Sequence, residues 1–273
     1  VPESHAGTKT DTGFLDTPMA VQVVPRQVLD DQQAFTIKDA VRNISGVLSA
    51  DYSFYDFVQI RGFKNGYAAN FRDGLQLQAI TGLELALVER VEVVKGPGSM
   101  LYGRIDPGGF VNLVTKRPQA AAAYRVDQQI GSFGLYRTTV DATGKLRYRA
   151  VGAFSQSGSH LDEVEQDNKA GLLALSWLPN ERFELNVSFE LQSHDFMDTE
   201  DQGIPIVGRR PVKVPRHSWY GDTVNRELPN KQDRRLVGYD WSYRLNAQWK
   251  LTQRFQYDWR NEQQLTIFGT GFD

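Results

Sequence analysis

The spacing most suggestive of chemistry is Gly98-Ser99-Met100-Leu101-Tyr102-Gly103, a GxxxxG run of the kind that cradles phosphate. A phosphate loop then needs Lys followed by Ser or Thr to reach phosphate and magnesium, and Arg104-Ile105 stand there instead. The four histidines, His5, His160, His194 and His217, are scattered without ligand spacing, and the chain has no cysteine. Zinc-thiolate sites, disulfides and cysteine nucleophiles are therefore excluded. Asp162, Glu163, Glu165 and Asp167 form an acidic run that suits either calcium or a solvated loop. No nucleophile–base pair or paired carboxylates stand out, so no enzyme is expected.

The chemistry that remains is that of turns. Gly96, Gly98, Gly103, Gly108 and Gly109, with Pro97 and Pro107, allow tight reversals between two strands. Each glycine alone reads as a structural turn.

The 273 residues carry 31 basic and 33 acidic side chains, a balance that leaves no electrostatic footprint for nucleic acid. No run approaches the roughly 18 apolar residues of a membrane helix. Mean hydropathy is -0.45, yet transmembrane strands alternate and hide from such averages. The chain opens on Val1 with neither a charged n-region nor an apolar h-region, so a signal peptide is expected to have been removed already.

Residues 1–16 read as a flexible lead-in, and Val21 to Val24 as a short strand closed by Pro25. Ile37, Ala40, Val41 and Ile44 share one helical face, with Thr36 and Asp39 as a capping box and Gly46 as the stop. This spacing predicts an amphipathic helix over 36–45. Strands follow at Val58 to Arg61, Val88 to Val94 and Phe110 to Thr115.

After Pro118 the sequence alternates. Phe183, Leu185, Val187, Phe189 and Leu191 interleave with polar residues over Arg182 to His194, and a second regular run covers Val237 to Leu251. Weaker runs occur at Tyr124 to Ile130, Leu135 to Ala142, Leu146 to Gln156, Gly171 to Trp177 and Phe255 to Ile267, giving about seven antiparallel strands. Short turns are expected at Ala142 to Lys145, Leu178 to Glu181 and Thr252 to Arg254. Long connections run over Gly158 to Asn168 and Asp195 to Arg235, with a brief one near Ser132. Alternating short and long connections characterise outer-membrane barrels. Trp177 and Phe183, and Trp249, Phe255, Tyr257 and Trp259, flank short turns as an interfacial girdle would. A soluble β-sandwich is the competing architecture, since its strands also alternate.

Taken in order, Arg61-Gly62-Phe63, Asp73-Gly74, Glu89 to Val93, Lys95-Gly96-Pro97, Tyr102-Gly103, Pro107-Gly108-Gly109 and Asn112 to Pro118 resemble the plug domain of TonB-dependent outer-membrane receptors, most closely the siderophore receptors. The resemblance implies an α+β N-terminal plug domain over 1–118. Residues 119–273 would then be the first strands of an antiparallel transmembrane β-barrel that is incomplete in this chain. Plugged transporters need about 22 strands, so about seven cover roughly a third of the wall.

The implied function is import of a ferric siderophore on energy from TonB and its inner-membrane ExbB–ExbD complex. Iron travels as cargo, and no cofactor belongs to the protein itself. The family's TonB box is expected upstream of Val1. By motif position the ligand-facing plug residues are Tyr52, Tyr55, Lys64, Tyr67 and Gln78. Arg209, Arg210, Trp219 and Tyr220 in the long loop suit an anionic or aromatic chelate, or alternatively a solvated surface or lipopolysaccharide. Outer-membrane lipid would surround the wall. Arg61 and Lys95 match the basic residues that lock the plug to carboxylates on late strands; Arg61 pairing with Glu89 or Glu92 is the alternative. Other cargo (haem, cobalamin, a glycan) and a soluble β-rich binding module are the competing functions.

Overall fold

A computed structural model describes residues 6–10, 16–49, 55–64, 69–78, 81–197, 206–215, 217–219 and 228–265. The N-terminal part contains β1 (Ala20–Pro25), α1 (Arg26–Asp31), α2 (Ile37–Val41), β2 (Val47–Ser49), β3 (Val58–Ile60), β4 (Phe63–Lys64), β5 (Asn70–Arg72), β6 (Leu75–Gln76), a 3-10 turn (Leu85–Leu87), β7 (Val88–Lys95), α3 (Ser99–Tyr102) and β8 (Gly109–Thr115). Five of these strands form one sheet in the order β1-β7-β8-β5-β6, and β2-β3-β4 form a second. β5 and β8 run parallel while β7 and β8 run antiparallel, so the glycine-rich stretch joins neighbouring strands as expected.

β7 has a strand on each side in its sheet, and Val91 to Val94 are all buried, which is why Val91, Val93 and Val94 interrupt any clean alternation. With Leu29, Ile37, Val58, Ile60 and Leu113, Val91 and Val93 build the main plug core, while Val94 packs with Ala69, Phe71 and Phe110 in a second cluster. α2 keeps its capping box: the Asp39 amide donates to Thr36 Oγ1 at 3.2 Å and the Thr36 amide to Asp39 Oδ2 at 3.0 Å. The helix ends at Val41 rather than at residue 45. Ile44 N bonds Val41 O and Val47 N bonds Ile44 O, so the chain tightens into three-residue turns that lead to Gly46 in the left-handed region (φ +70°). Ile37, Ala40, Val41 and Ile44 are nevertheless all buried, as their spacing requires.

The C-terminal part is one antiparallel sheet of seven strands in meander order: β9 (Ala123–Ile130), β10 (Tyr136–Gly144), β11 (Tyr148–Gly158), β12 (Glu165–Asn180), β13 (Phe183–Phe196), β16 (Asn230–Arg244) and β17 (Lys250–Gln263). Between β13 and β16 a small hairpin pairs β14 (Ile206–Val207) with β15 (Arg210–Pro211). The sheet wraps the plug with its polar face. Asn186, Glu190, Gln192 and His194 are buried against the plug, while Val187, Phe189 and Leu191 between them are 42%, 40% and 45% exposed. Tyr124, Val126, Leu173, Trp177 and Trp259 continue that apolar outer band. A soluble sandwich buries its apolar faces; this wall exposes them.

Several connections differ from the sequence reading; the short turns expected at Ala142 to Lys145 and Leu178 to Glu181 fall at 145–147 and 181–182. The alternation over Val237 to Leu251 spans a turn rather than one strand: β16 stops at Arg244, and β17 begins at Lys250, before the expected Thr252 to Arg254 turn. Asn246 Oδ1 accepts from the amides of Gln248 and Trp249, both at 2.9 Å, and Leu245 N donates to Trp249 O, closing the reversal. Because Leu245, Ala247 and Trp249 keep odd positions through the turn, the apolar pattern carries no mark of it. At the opposite rim, β12 starts at Glu165 and β16 at Asn230, so the long connections shorten to 159–164 and 197–229. There the backbone ladder outlasts the apolar band, and alternation of hydrophobicity marks only the band. Among the described residues no helix is long and apolar enough to cross a membrane.

Candidate functional site

The plug meets the long-connection rim of the wall through residues 55–57 and 81–84. Tyr55 is only 3% exposed. Its ring stacks on Phe57 and meets the edge of Phe196, both at 5.7 Å, and its hydroxyl accepts from Gln264 Nε2 at 2.6 Å. Tyr55 therefore lies behind the surface that a ligand would meet. Lys64 is exposed at the end of β4, with Nζ 4.8 Å from the Phe57 ring centre, so Lys64, Phe57 and Tyr55 form one stack. Gln78 is exposed beyond β6. Arg209 and Arg210 stand exposed on the β14–β15 hairpin, and Trp219 is half-buried. Tyr52, Tyr67 and Tyr220 lie outside the described residues.

Between this apex and the wall is a cleft of about 80 Å³ lined by Thr36, Lys38, Tyr55, Asp56, Gly82 and His194. Asp56 is 4% exposed, and its Oδ2 accepts from Leu83 N at 3.2 Å. Burial pushes its carboxyl up from 3.8 to about 7, against the opposing pull of that hydrogen bond and of Lys38. A carboxyl whose folded value is raised stabilises the fold fully below its unfolded value and loses that contribution as pH rises through the folded one. Asp56 thus favours the plug below about pH 4 and ceases to do so by about pH 7. Asp56→Asn, which keeps an acceptor for Leu83 N, is expected to flatten this dependence. The difference in urea unfolding free energy between pH 4 and pH 8 should shrink by on the order of 3 kcal/mol.

Arg61 and Lys95 come together. Arg61 adopts φ +53° beside Gly96, and Lys95 Nζ donates to Ser45 O and Gln22 Oε1 at 2.5 Å within the plug. Burial first, and the Arg61 charge second, lower the Lys95 ammonium below the usual lysine range. The alternative partners of Arg61 are engaged elsewhere. Glu92 takes Arg90 Nε at 2.9 Å and Asn112, and Glu89 faces Arg149 at 3.7 Å.

The sequence reading missed the contacts between plug and wall. Arg72 Nε and Nη2 both donate to Glu190 Oε1, at 2.9 and 2.5 Å. Glu84 accepts from Arg137 Nη2 at 2.5 Å and Asn168 Nδ2 at 3.3 Å. Lys116 and Arg149 share Asp141, each at 2.7 Å, Arg117 reaches Asp240 at 2.9 Å and Arg125 reaches Asp30 at 2.7 Å. The available signal was the row of charges on the inward strand positions; their partners lie as far as 123 residues away. A cavity of about 470 Å³ remains between plug and wall toward the short turns, lined in part by Lys9, Glu89, Arg117, Asp240 and Arg254. Among the described residues no three metal-ligating side chains gather.

An α+β plug, ion-paired inside a wall that is polar within and apolar without, defines a plugged outer-membrane barrel, here present in part. Residues 14–110 match the family model of the TonB-dependent receptor plug domain. The chain is 31% identical over 258 residues to the metal-pseudopaline receptor CntO of Pseudomonas aeruginosa, covering 91% of this chain and 36% of that one. It is 29% identical to the ferrioxamine receptor of Yersinia enterocolitica, covering 99% and 40%. The ferripyoverdine receptor of Pseudomonas aeruginosa, solved with ferripyoverdine bound, superimposes with a TM-score of 0.80 at 21% identity, covering 93% of this chain and 36% of that one. The siderophore receptor PiuA of Acinetobacter baumannii gives 0.81 at 22%, covering 94% and 38%. The chain belongs to the TonB-dependent receptors. It spans between a third and two fifths of the length of these relatives.

Proposed function

We propose that the protein carrying this chain sits in the outer membrane, binds a ferric siderophore at the long-connection side and delivers it to the periplasm with energy transmitted by TonB and ExbB–ExbD. The observation that carries this reading is a plug held by buried ion pairs against the polar face of a wall whose other face is apolar and exposed. Such a body blocks the lumen at rest and can be displaced by work done from the periplasmic side. Iron is cargo here, and the similarity to a relative named as a ferrioxamine receptor supports a ferric siderophore. The similarity to a metal-pseudopaline receptor supports a second reading, in which the cargo is a different metal chelate.

Deletion of the gene is expected to abolish uptake of one labelled ferric siderophore under iron starvation; unchanged uptake of every siderophore and metal chelate tried would exclude both readings. Ligand contact falls to Tyr52, Lys64, Tyr67 and Gln78 at the plug apex, with Tyr55 supporting from behind and Arg209, Arg210, Trp219 and Tyr220 contributing from the long connection. Tyr52→Ala with Tyr67→Ala should weaken the quenching of tryptophan fluorescence by cargo about tenfold in affinity, in line with the loss of two aromatic contacts. An unaltered affinity removes both from the site. Arg61 and Lys95 are proposed to face carboxylates on wall strands that this chain does not include.

A further inference from the structure

The contact between Arg72 and Glu190 has a feature that a simple lock does not need. Both bonds from Arg72 end on Glu190 Oε1, and Glu190 Oε2 is buried with no hydrogen-bond partner among the described residues. Arg72 and Glu190 are 2% and 1% exposed, so neither is satisfied by bulk water. Arg234, 4% exposed, stands on the neighbouring strand. Gln192 is opposite Arg234 and Glu190 is opposite Leu236, which makes Arg234 the diagonal neighbour of Glu190 on the same inward face. Arg234 donates through Nη2 to Gln192 Oε1, while its Nη1 is also buried without a partner. On the other side, Leu236 is opposite Asp258, placing Asp258 diagonal to Arg234 as well, and Asp258 Oδ1 is a third unpartnered buried atom. On this face Arg234 thus stands diagonal to two wall carboxylates, Arg260 lies directly opposite it and takes Glu262 at 3.7 Å, and the plug supplies Arg72.

We propose that Arg72, Glu190 and Arg234 form a partner-exchange latch. With the plug seated, Glu190 is held by Arg72. When the plug moves, Glu190 turns its free Oε2 to the free Nη1 of Arg234, so the departure of Arg72 leaves no stranded buried anion. Breaking a buried ion pair by removing one partner is costly because the remaining charge stays uncompensated; a waiting cation on the adjacent strand removes that obstacle. Arg234 therefore positions Glu190 for release, and Asp258 keeps Arg234 in balance. The idea rests on the plug moving within the wall, as the transport reading requires.

The test uses the full protein in detergent, with any cysteine outside this chain replaced and a reporter introduced as Ala69→Cys, since Ala69 is fully buried in the plug and the chain has no cysteine of its own. The rate of thiol labelling measures plug opening. Arg72→Met should raise the rate about tenfold, while Arg234→Met should lower it about tenfold by denying Glu190 its second partner, and Arg234→Lys should restore it. With Arg72→Met already present, adding Arg234→Met should change nothing further. An Arg234→Met variant that opens faster or at the parent rate, or that slows opening equally in the absence of Arg72, overturns the latch. Barrel integrity is checked by heat-modifiable electrophoretic mobility. Labelling needs neither cargo nor TonB, so a failure to find uptake would sink the transport reading while leaving this result to stand on its own.

Discussion

Glu84→Ala is expected to weaken the hold of the wall on the plug by about 3–5 kcal/mol, the range for removing one partner of a buried ion pair. Glu84 is 3% exposed and its carboxylate serves three donors: the Ala86 amide at 2.7 Å, which it caps, Arg137 Nη2 on β10 and Asn168 Nδ2 on β12. Truncation leaves the Arg137 guanidinium buried, with only the Gln129 amide oxygen at 3.1 Å and the Phe35 ring face at 4.8 Å among the described residues. Neither neutralises a full charge. The measurement is urea unfolding of the plug within the intact barrel, followed by limited proteolysis. The control is the double variant Glu84→Ala with Arg137→Met. Removing the stranded charge as well should recover part of the loss, because most of the cost lies in the uncompensated cation rather than in the missing bond. A double variant as weak as the sum of the two single ones would show that the pair is not coupled.

Gly109→Ala should be more damaging still, costing at least about 4 kcal/mol and preventing the plug from folding. Gly109 opens β8 at φ +126°, and a Cβ built there would lie against the Val94 carbonyl oxygen in the partner strand. That oxygen belongs to the backbone of a central strand, so no rotamer change can relieve the contact. The comparison is Gly46→Ala, also at positive φ (+70°) but with nothing within 4 Å of the added carbon. It should cost only about 1–2 kcal/mol, the penalty for an L-residue in the left-handed region. Equal losses at both sites, read from plug protease resistance, would mean that backbone conformation alone matters and that close approach of the strands does not.

Much of this architecture is legible one residue at a time. Thr36 and Asp39 announce the start of α2 because a capping box is a local arrangement, and Ile37, Ala40, Val41 and Ile44 announce its buried face. The seven wall strands show themselves through Val187, Phe189 and Leu191 against Asn186, Glu190 and Gln192, since a period of two needs no knowledge of neighbours. What local pattern does not carry is where a turn interrupts an unbroken parity, as at Leu245 to Trp249, or how far a ladder runs after its apolar residues end, as at Glu165 and Asn230.

The candidate site divides along the same line. Tyr55 and Lys64 belong to comparable aromatic and basic stretches of sequence, yet one is packed under Phe196 and the other open to solvent. Aromatic type alone cannot separate a ring that binds cargo from one that supports the loop beneath it. Arg61 and Lys95 are marked out by motif, whereas Arg72, Glu84, Arg137 and Glu190 are not, although the latter four make the buried contacts between plug and wall.

The sequence by itself determined the order of parts: a plug with its glycine-rich reversal between β7 and β8, then a run of alternating strands with an apolar outer face. These follow from turn chemistry and from side-chain periodicity, both of which act over a few residues. Only the tertiary structure decided which charges meet. Arg72 finds Glu190 across 118 residues of chain, and Arg234 comes to stand beside that pair, because strand register and the seating of the plug bring their inward positions to one height. Electrostatic pairing in a buried interface depends on distance and desolvation, and both are set by the fold as a whole.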